Sequence, residues 1–223
     1  MNEKLQLVVF DLDDTLYKEL DFLESAYKEI AVFLESRIRI FRSQIYKEMI
    51  DWYYEGENVF RKVLERYPVP EVDIHTLLTI YRNHVPDIQL SKDHKTTLDS
   101  ITRKEIPIAI MTDGRSLQQR NKIKVLGLES YTKEILISEE FGSEKPDRRN
   151  YEYFMKAYPG RTYYYIGDNT KKDFVTANSL GWITICLLDD GNNIHEQDFS
   201  LPDAHLPAYQ IKNIKESMNY IQF

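Results

Sequence analysis

The sequence lacks most of the features that would take it out of the ordinary globular classes. It has one cysteine, Cys186, in 223 residues, so no internal disulfide can form. Its place in the apolar run WITICLL points to a buried structural thiol rather than a nucleophile. No segment approaches the ~18 consecutive apolar residues of a membrane span. The opening MNEKLQLVVF passes into charge too soon for a secretory signal. Lysine and arginine never gather into a basic stripe, and the formal charge is −7. Broad electrostatic binding of nucleic acid is therefore excluded, although a local basic pocket for a small anion is not. Glycine and proline number eight each and nowhere cluster into a linker, and there is no low-complexity tract or fixed-period repeat. Together these absences predict a cytoplasmic protein with no membrane and no nucleic-acid partner.

What is present is an ordinary globular composition, 42% hydrophobic and 29% charged. The apolar runs LQLVVF, IPIAIM, EILIS, TYYYIG and WITICLL are separated mostly by segments with helical spacing. That alternation predicts an α/β fold, a doubly wound parallel sheet covered on both faces. Ser116 and Gln119 have the spacing of a capping box opening a helix that Gly127 stops. A second helix, Asp173 to Leu180, is expected to stop at Gly181. The stretch from 18 to 90 breaks the alternation. Leu23, Ala26, Tyr27, Ile30 and Leu34 fall on one helical face, as do Phe41, Ile45, Met49, Trp52 and Tyr53, and then Val59, Phe60, Val63, Leu64 and Tyr67. PVPE at 68–71 separates these from a helix around Ile74 to Tyr81. The expected organisation is a core of residues 1–17 and 91–223 with a helical domain, 18–90, inserted after the first strand, its aromatic stripe being its own core.

Four polar clusters sit at or just after the carboxyl ends of predicted strands. Asp11 and Asp13 follow LVVF; Thr112, Asp113 and Gly114 follow IPIAIM; Lys145 lies in FGSEKPD after EILIS; Asp168 and Asp173 lie in GDNTKKD after TYYYI. Ligands bind at this edge of an open α/β sheet. Singly, each cluster reads as a turn or a solvated charge. Jointly they supply carboxylates for a divalent cation, a hydroxyl beside a glycine turn, and a lysine, which suits a phosphoryl group held next to Mg²⁺.

In this order, DLDDTL, MTDG, EKPD and GDNTKKD resemble the four motifs of the haloacid dehalogenase (HAD) superfamily of phosphohydrolases, and the helical insertion resembles its C1-type cap. The resemblance implies a Mg²⁺-dependent phosphatase that hydrolyses a small phosphomonoester, a sugar phosphate or nucleotide-like compound, through an aspartyl-phosphate. Asp11 is then the nucleophile and Asp13 the acid–base partner. Thr112, with backbone N–H groups around Asp113 and Gly114, binds the phosphoryl group, and Lys145 offsets its charge. Asp11, the Asp13 carbonyl and Asp168 hold Mg²⁺, while Asp173 binds the metal's water or braces Lys145. Asp14 is expected to be structural, and Lys171 and Lys172 to face solvent. The presence of Asp13 disfavours dehalogenase and phosphonatase chemistry; a phosphomutase, or a non-catalytic ligand-binding protein of this fold, stays open. The run from MTDG to EKPD looks most like the nucleotidase and acylneuraminate-9-phosphatase subgroup, with Thr-Asp-Gly where Thr-Asn-Gly is common and Arg148 and Arg149 after Asp147. Substrate choice falls to the insertion, where Arg37, Arg39, Arg42, Trp52, Tyr53 and Tyr54 are candidates. The expected partner is a small phosphorylated metabolite, and the expected state a monomer or weak homodimer.

Overall fold

The first apolar run, buried without a break from Leu7 to Phe10, forms a central strand, β1 (Gln6–Phe10), in a computed structural model that describes residues 5–221. The chain then passes through four helices, α1 (Glu19–Glu35), α2 (Arg42–Tyr54), α3 (Val59–Arg66) and α4 (Ile74–Asn83), and a fifth, α5 (Lys92–Arg103), leads into β2 (Ile108–Thr112). Next come α6 (Ser116–Val125), β3 (Ile135–Ile137), the short α7 (Ser138–Phe141) and α8 (Arg148–Ala157). The last elements are β4 (Thr162–Gly167), α9 (Val175–Ser179), β5 (Ile183–Leu187) and β6 (Tyr209–Ile211), with short 3₁₀ segments between and after. Among the described residues no helix is long and apolar enough to cross a membrane.

The six strands form one parallel sheet in the order β3-β2-β1-β4-β5-β6. From β1 the chain winds outward through β2 and β3, then returns to β4 on the other side of β1 and winds outward again. The direction of winding reverses between β1 and β4, which opens a crevice at their carboxyl ends. Side chains alternate across the sheet. Leu7, Val9, Ala109, Met111, Tyr163, Tyr165 and Cys186 face one core, joined by Tyr151 and Phe154 of α8, Phe174 and Trp182. Each large apolar side chain fully buried there stabilises the fold by about 1.5–3 kcal/mol. Cys186 is buried as expected, and burial pushes its thiol well above the usual range.

The chain divides into two compact units, one of residues up to Glu19 together with Gln89 onward, the other Leu20–Ile88. The second unit has its own core: Phe22, Leu23, Ala26, Tyr27, Ile30 and Leu34 of α1 are buried, with Ile45, Met49, Val63 and Leu77. Its aromatic residues pack on one another, Phe60 edge-on to Tyr81 at 5.6 Å and Phe22 edge-on to Tyr81 at 5.4 Å. Phe41, expected on the apolar face of α2, instead precedes the helix and is 79% exposed.

Other local expectations are corrected. Arg115, not Ser116, is the N-cap residue of α6, and no side chain caps it. Gln119 is buried and bonded elsewhere, so no capping box forms. Gly127 and Gly181 do adopt the left-handed conformation after their helices. The helix expected from Asp173 begins only at Val175, because the Asp173 carboxylate is engaged by the loop before it.

Candidate active site

Asp11 continues β1 by one residue, its N–H donating to the Ile166 carbonyl at 2.8 Å. Leu12 then turns into the core, fully buried, which leaves Asp11 and Asp13 on the opposite side. The residue after them, Asp14, has a φ of 53°. Its carboxylate accepts from the N–H groups of Glu19 and Ile194, both at 2.9 Å, so Asp14 ties two loops together.

These residues open onto a small cavity of about 100 Å³ at the carboxyl end of the sheet. It is lined by Asp11, Asp13, Asp14, Glu19, Thr112, Asp113, Lys145, Asp168, Asn169, Lys172 and His195. Of the sequence-predicted site residues, Asp11, Asp13, Thr112, Asp113, Lys145 and Asp168 are thus brought together. Asp173 lies just beneath, fully buried.

Lys145 joins the carboxylates. Its Nζ lies 2.9 Å from Asp11 Oδ1 and 2.8 Å from Asp173 Oδ1, and donates to the Tyr165 hydroxyl at 3.0 Å. Burial alone would lower the Lys145 pKa, but Asp11 and Asp173 hold it well above its ordinary value. The other Asp173 oxygen accepts from the backbone N–H groups of Asp168 (3.2 Å) and Asn169 (2.9 Å). Asp173 therefore braces Lys145 and shapes the turn that carries Asp168. Gly167 makes this possible, since a Cβ there would collide with Asp173 Oδ2.

Ligand oxygens of Asp11, Asp168 and Asp173 all lie within 4.8 Å of one another. One lysine cannot balance three buried carboxylates. Burial pushes the Asp11 carboxyl up to about 7 despite Lys145, with Asp173 adding to the rise. Burial, together with the charges of Asp173, Asp11 and Asp14, pushes Asp168 up to about 9. Asn193 donates to Asp168 Oδ2 at 3.1 Å and Gln197 to its carbonyl at 2.8 Å. Such a set of hard oxygens, short of positive charge and steadied by outer hydrogen bonds, fits a divalent cation.

Asp13 stands apart from that cluster. Lys122 Nζ lies 2.7 Å from its Oδ1, Tyr17 donates to the same oxygen, and Gln119 Nε2 donates to Oδ2 at 2.8 Å. Burial would raise the Asp13 carboxyl, but Lys122 and these donors bring it below its usual range. Its side chain is consequently unsuited to the metal, and only its carbonyl could serve there. Glu19, 3.9 Å from Lys122, is pushed up to about 8 by burial and by Asp13.

Two expectations fail at this site. Gly114 does not line the cavity, and its N–H donates to Ser138 Oγ at 2.9 Å, leaving it unavailable to a phosphate. Its φ of 139° and its missing Cβ leave room for Gln119, whose Cδ would be 3.1 Å from a Cβ. Lys172, expected to face solvent, is half-buried on the cavity wall with Nζ 2.7 Å from Asp113 Oδ2. Asp113 also accepts from the Lys145 N–H at 3.0 Å, so it positions two lysines. Lys171 is exposed. Among the residues proposed for the insertion, Arg37, Arg39, Arg42 and Tyr54 are exposed and Trp52 and Tyr53 half-buried.

Gln119, Lys122, Glu19, Tyr17, Asn193 and His195 were not anticipated. A signal existed for the first two: they are three apart, so they share the inward face of α6 with the neighbouring Ile123. A lysine placed on a core face needs an acid there.

The haloacid dehalogenase-like hydrolase profile matches residues 8–187. The chain is 25% identical to the glyceraldehyde 3-phosphate phosphatase of Methanocaldococcus jannaschii over 94% of this chain and 98% of that protein. It is 26% identical to the enzyme of the same name from Methanopyrus kandleri, over 81% and 83% respectively. Among solved structures, YfnB of Bacillus subtilis, described as a HAD-hydrolase and bound to magnesium, superposes with a TM-score of 0.68. It is 19% identical and covered over 100% of its length by 99% of this chain. With the profile spanning most of the chain and all four motifs whole, the protein belongs to the haloacid dehalogenase-like hydrolases.

Proposed function

We propose that the protein is a phosphatase of small sugar phosphates that works through an aspartyl-phosphate on Asp11. The observation that carries this reading is the convergence of Asp11, Lys145, Asp173 and Asp168 at the β1/β4 crevice with Asp13 on the same side of the chain. The relatives named as glyceraldehyde 3-phosphate phosphatases support a sugar phosphate as substrate. A further relative, 30% identical over 46% of this chain, is the ribulose-1,5-bisphosphate 5-phosphatase of Halopiger xanaduensis.

Lys145 holds the Asp11 carboxylate through Oδ1, leaving Oδ2 to attack phosphorus. Splitting the displacement into two steps lets the same carboxylate first accept and then release the phosphoryl group. Asp13 protonates the departing alcohol and afterwards takes a proton from water. Thr112 and Lys172 bear on the phosphoryl oxygens. Asp11 and Asp168, with Asp173 behind them, would hold Mg²⁺, which when bound offsets phosphoryl and carboxylate charge.

The test is phosphate release from a panel of triose, tetrose, pentose and hexose phosphates, nucleoside monophosphates and phosphoglycolate, with Mg²⁺ and then with EDTA. Turnover concentrated among the sugar phosphates and lost in EDTA is the expected result. Release only from nucleotides would overturn the substrate class, and release undiminished by EDTA would overturn the metal.

A further inference from the structure

A carboxylate offers about four lone-pair positions for hydrogen bonds. Three of those on Asp13 are filled by the protein. Oδ1 takes both the Lys122 ammonium, at 2.7 Å, and the Tyr17 hydroxyl; Oδ2 takes Gln119 Nε2 at 2.8 Å. The three donors are themselves buried: Lys122 is 0% exposed, Gln119 1% and Tyr17 4%. Asp13 lines the cavity, so the remaining position, on Oδ2, is the part of its carboxyl left for a substrate.

Gln119 has a second partner. The same Nε2 donates to Thr112 Oγ1 at 2.6 Å. Carboxylate oxygens only accept, so the amide nitrogen must be the atom facing Asp13, and its two hydrogens then divide between Asp13 and Thr112. The Thr112 hydroxyl is thereby an acceptor from behind. Among the described residues its own hydrogen has only the Asp113 carbonyl at 3.5 Å, too long for a good bond. That hydrogen is left for the cavity.

We propose that Lys122, Tyr17 and Gln119 are positioning residues that restrict proton exchange by Asp13 to a single atom, Oδ2, and that Gln119 at the same time sets the Thr112 hydroxyl to donate to the phosphoryl group. The inference rests on the phosphatase reading above and adds to it the atom that moves the proton and the residues that select it. In the first step the Asp11–phosphorus bond forms, the bridging P–O bond breaks, and a proton that Asp13 Oδ2 takes up as the anionic substrate binds beside it passes to the departing oxygen. In the second, water oxygen bonds to phosphorus, the Asp11–phosphorus bond breaks, and a water proton returns to Oδ2. The cycle closes with alcohol and phosphate as products and both aspartates restored.

The experiment compares D-glyceraldehyde 3-phosphate, an alkyl ester whose leaving oxygen needs a proton, with p-nitrophenyl phosphate, whose phenolate leaves without one. The quantity read is kcat/KM, which reports only steps through release of the first product. Lys122→Met and Tyr17→Phe are expected to lower kcat/KM on the alkyl ester by about tenfold or more while leaving the aryl ester within about threefold. Gln119→Met, which also frees Thr112, is expected to lower both. Equal losses on the two esters in Lys122→Met and Tyr17→Phe, as a general packing defect would give, overturn the proposal, and so does the absence of any loss. If Lys122→Met does not fold, Tyr17→Phe, which keeps its ring and loses one oxygen, decides alone. Loss on the alkyl ester only in Gln119→Met would overturn the role assigned toward Thr112. Wild-type protein that hydrolyses neither these esters nor any sugar phosphate of the panel above would instead overturn the phosphatase reading itself.

Discussion

Asp11 and Lys145 touch each other, yet their removal has opposite consequences for the fold. Replacing Asp11 by Asn keeps an acceptor for the Lys145 ammonium and removes one of three crowded carboxylates. Asp11→Asn is therefore expected to fold and, in EDTA, to melt no lower than wild type, while losing turnover by roughly 10⁴-fold or more. Lys145→Met leaves Asp11 and Asp173 buried without their cation, an uncompensated arrangement that costs about 3–5 kcal/mol when a buried pair is broken. It should both lower the melting temperature and abolish activity. Thermal unfolding of the two variants beside wild type checks this. A stable, active Lys145→Met would remove the lysine from both roles. Asp13→Asn tests the other carboxylate and should slow turnover by about 10²–10⁴-fold, with near-wild-type release of phosphate as the result that denies it an acid–base role.

At the scale of elements, the end of β4 is where fold and site constrain one another most tightly. Gly167 closes the strand, and the Asp173 carboxylate occupies the space where any Cβ would go. Gly167→Ala should displace that carboxylate from the Asp168 and Asn169 N–H groups, cost about 1–3 kcal/mol by overpacking, and cut activity. Unchanged melting and kcat would show that the turn relaxes freely. Such tight spots mark the limit of what the sequence discloses. The five apolar runs announce β1 to β5 because each strand buries both faces. The last strand, β6, escapes notice because it is an edge strand with only Ile211 buried. Asp11, Lys145 and Asp168 are legible because strand ends place them and the motifs name them. Gln119 and Lys122 show only as neighbours of Ile123 on one face of α6, and what that face meets stays hidden until the sheet edge opposite is known. Gly114 misleads for a similar reason: a glycine after a strand suggests a phosphate loop, whereas here it makes space for a side chain.

For the whole molecule the governing quantity is charge. The chain carries a formal −7, and the cavity sets the carboxylates of Asp11, Asp13, Asp14, Glu19, Asp113 and Asp168 against the ammonium groups of Lys145 and Lys172. A phosphate dianion cannot enter such a site without further positive charge, and the protein without metal meets the same imbalance by taking up protons. Asp11, at about 7, and Asp168, at about 9, stand above the 3.8 they have when unfolded. Between those values the folded state binds more protons than the unfolded state, so stability must fall as pH rises from about 4 through 9. A divalent cation binding the same oxygens competes with those protons and stabilises the fold in proportion to its affinity. The rise in melting temperature on adding Mg²⁺ should therefore be small at pH 5 and grow steadily to pH 9, while in EDTA the melting temperature should decline over the same range. Replacing Asp168 by Asn removes the group with the largest rise, so it should flatten the EDTA decline and shrink the Mg²⁺ shift together. A Mg²⁺ shift that is independent of pH, or one that survives in Asp168→Asn, would place the cation elsewhere and leave the buried acids to be balanced by protons alone.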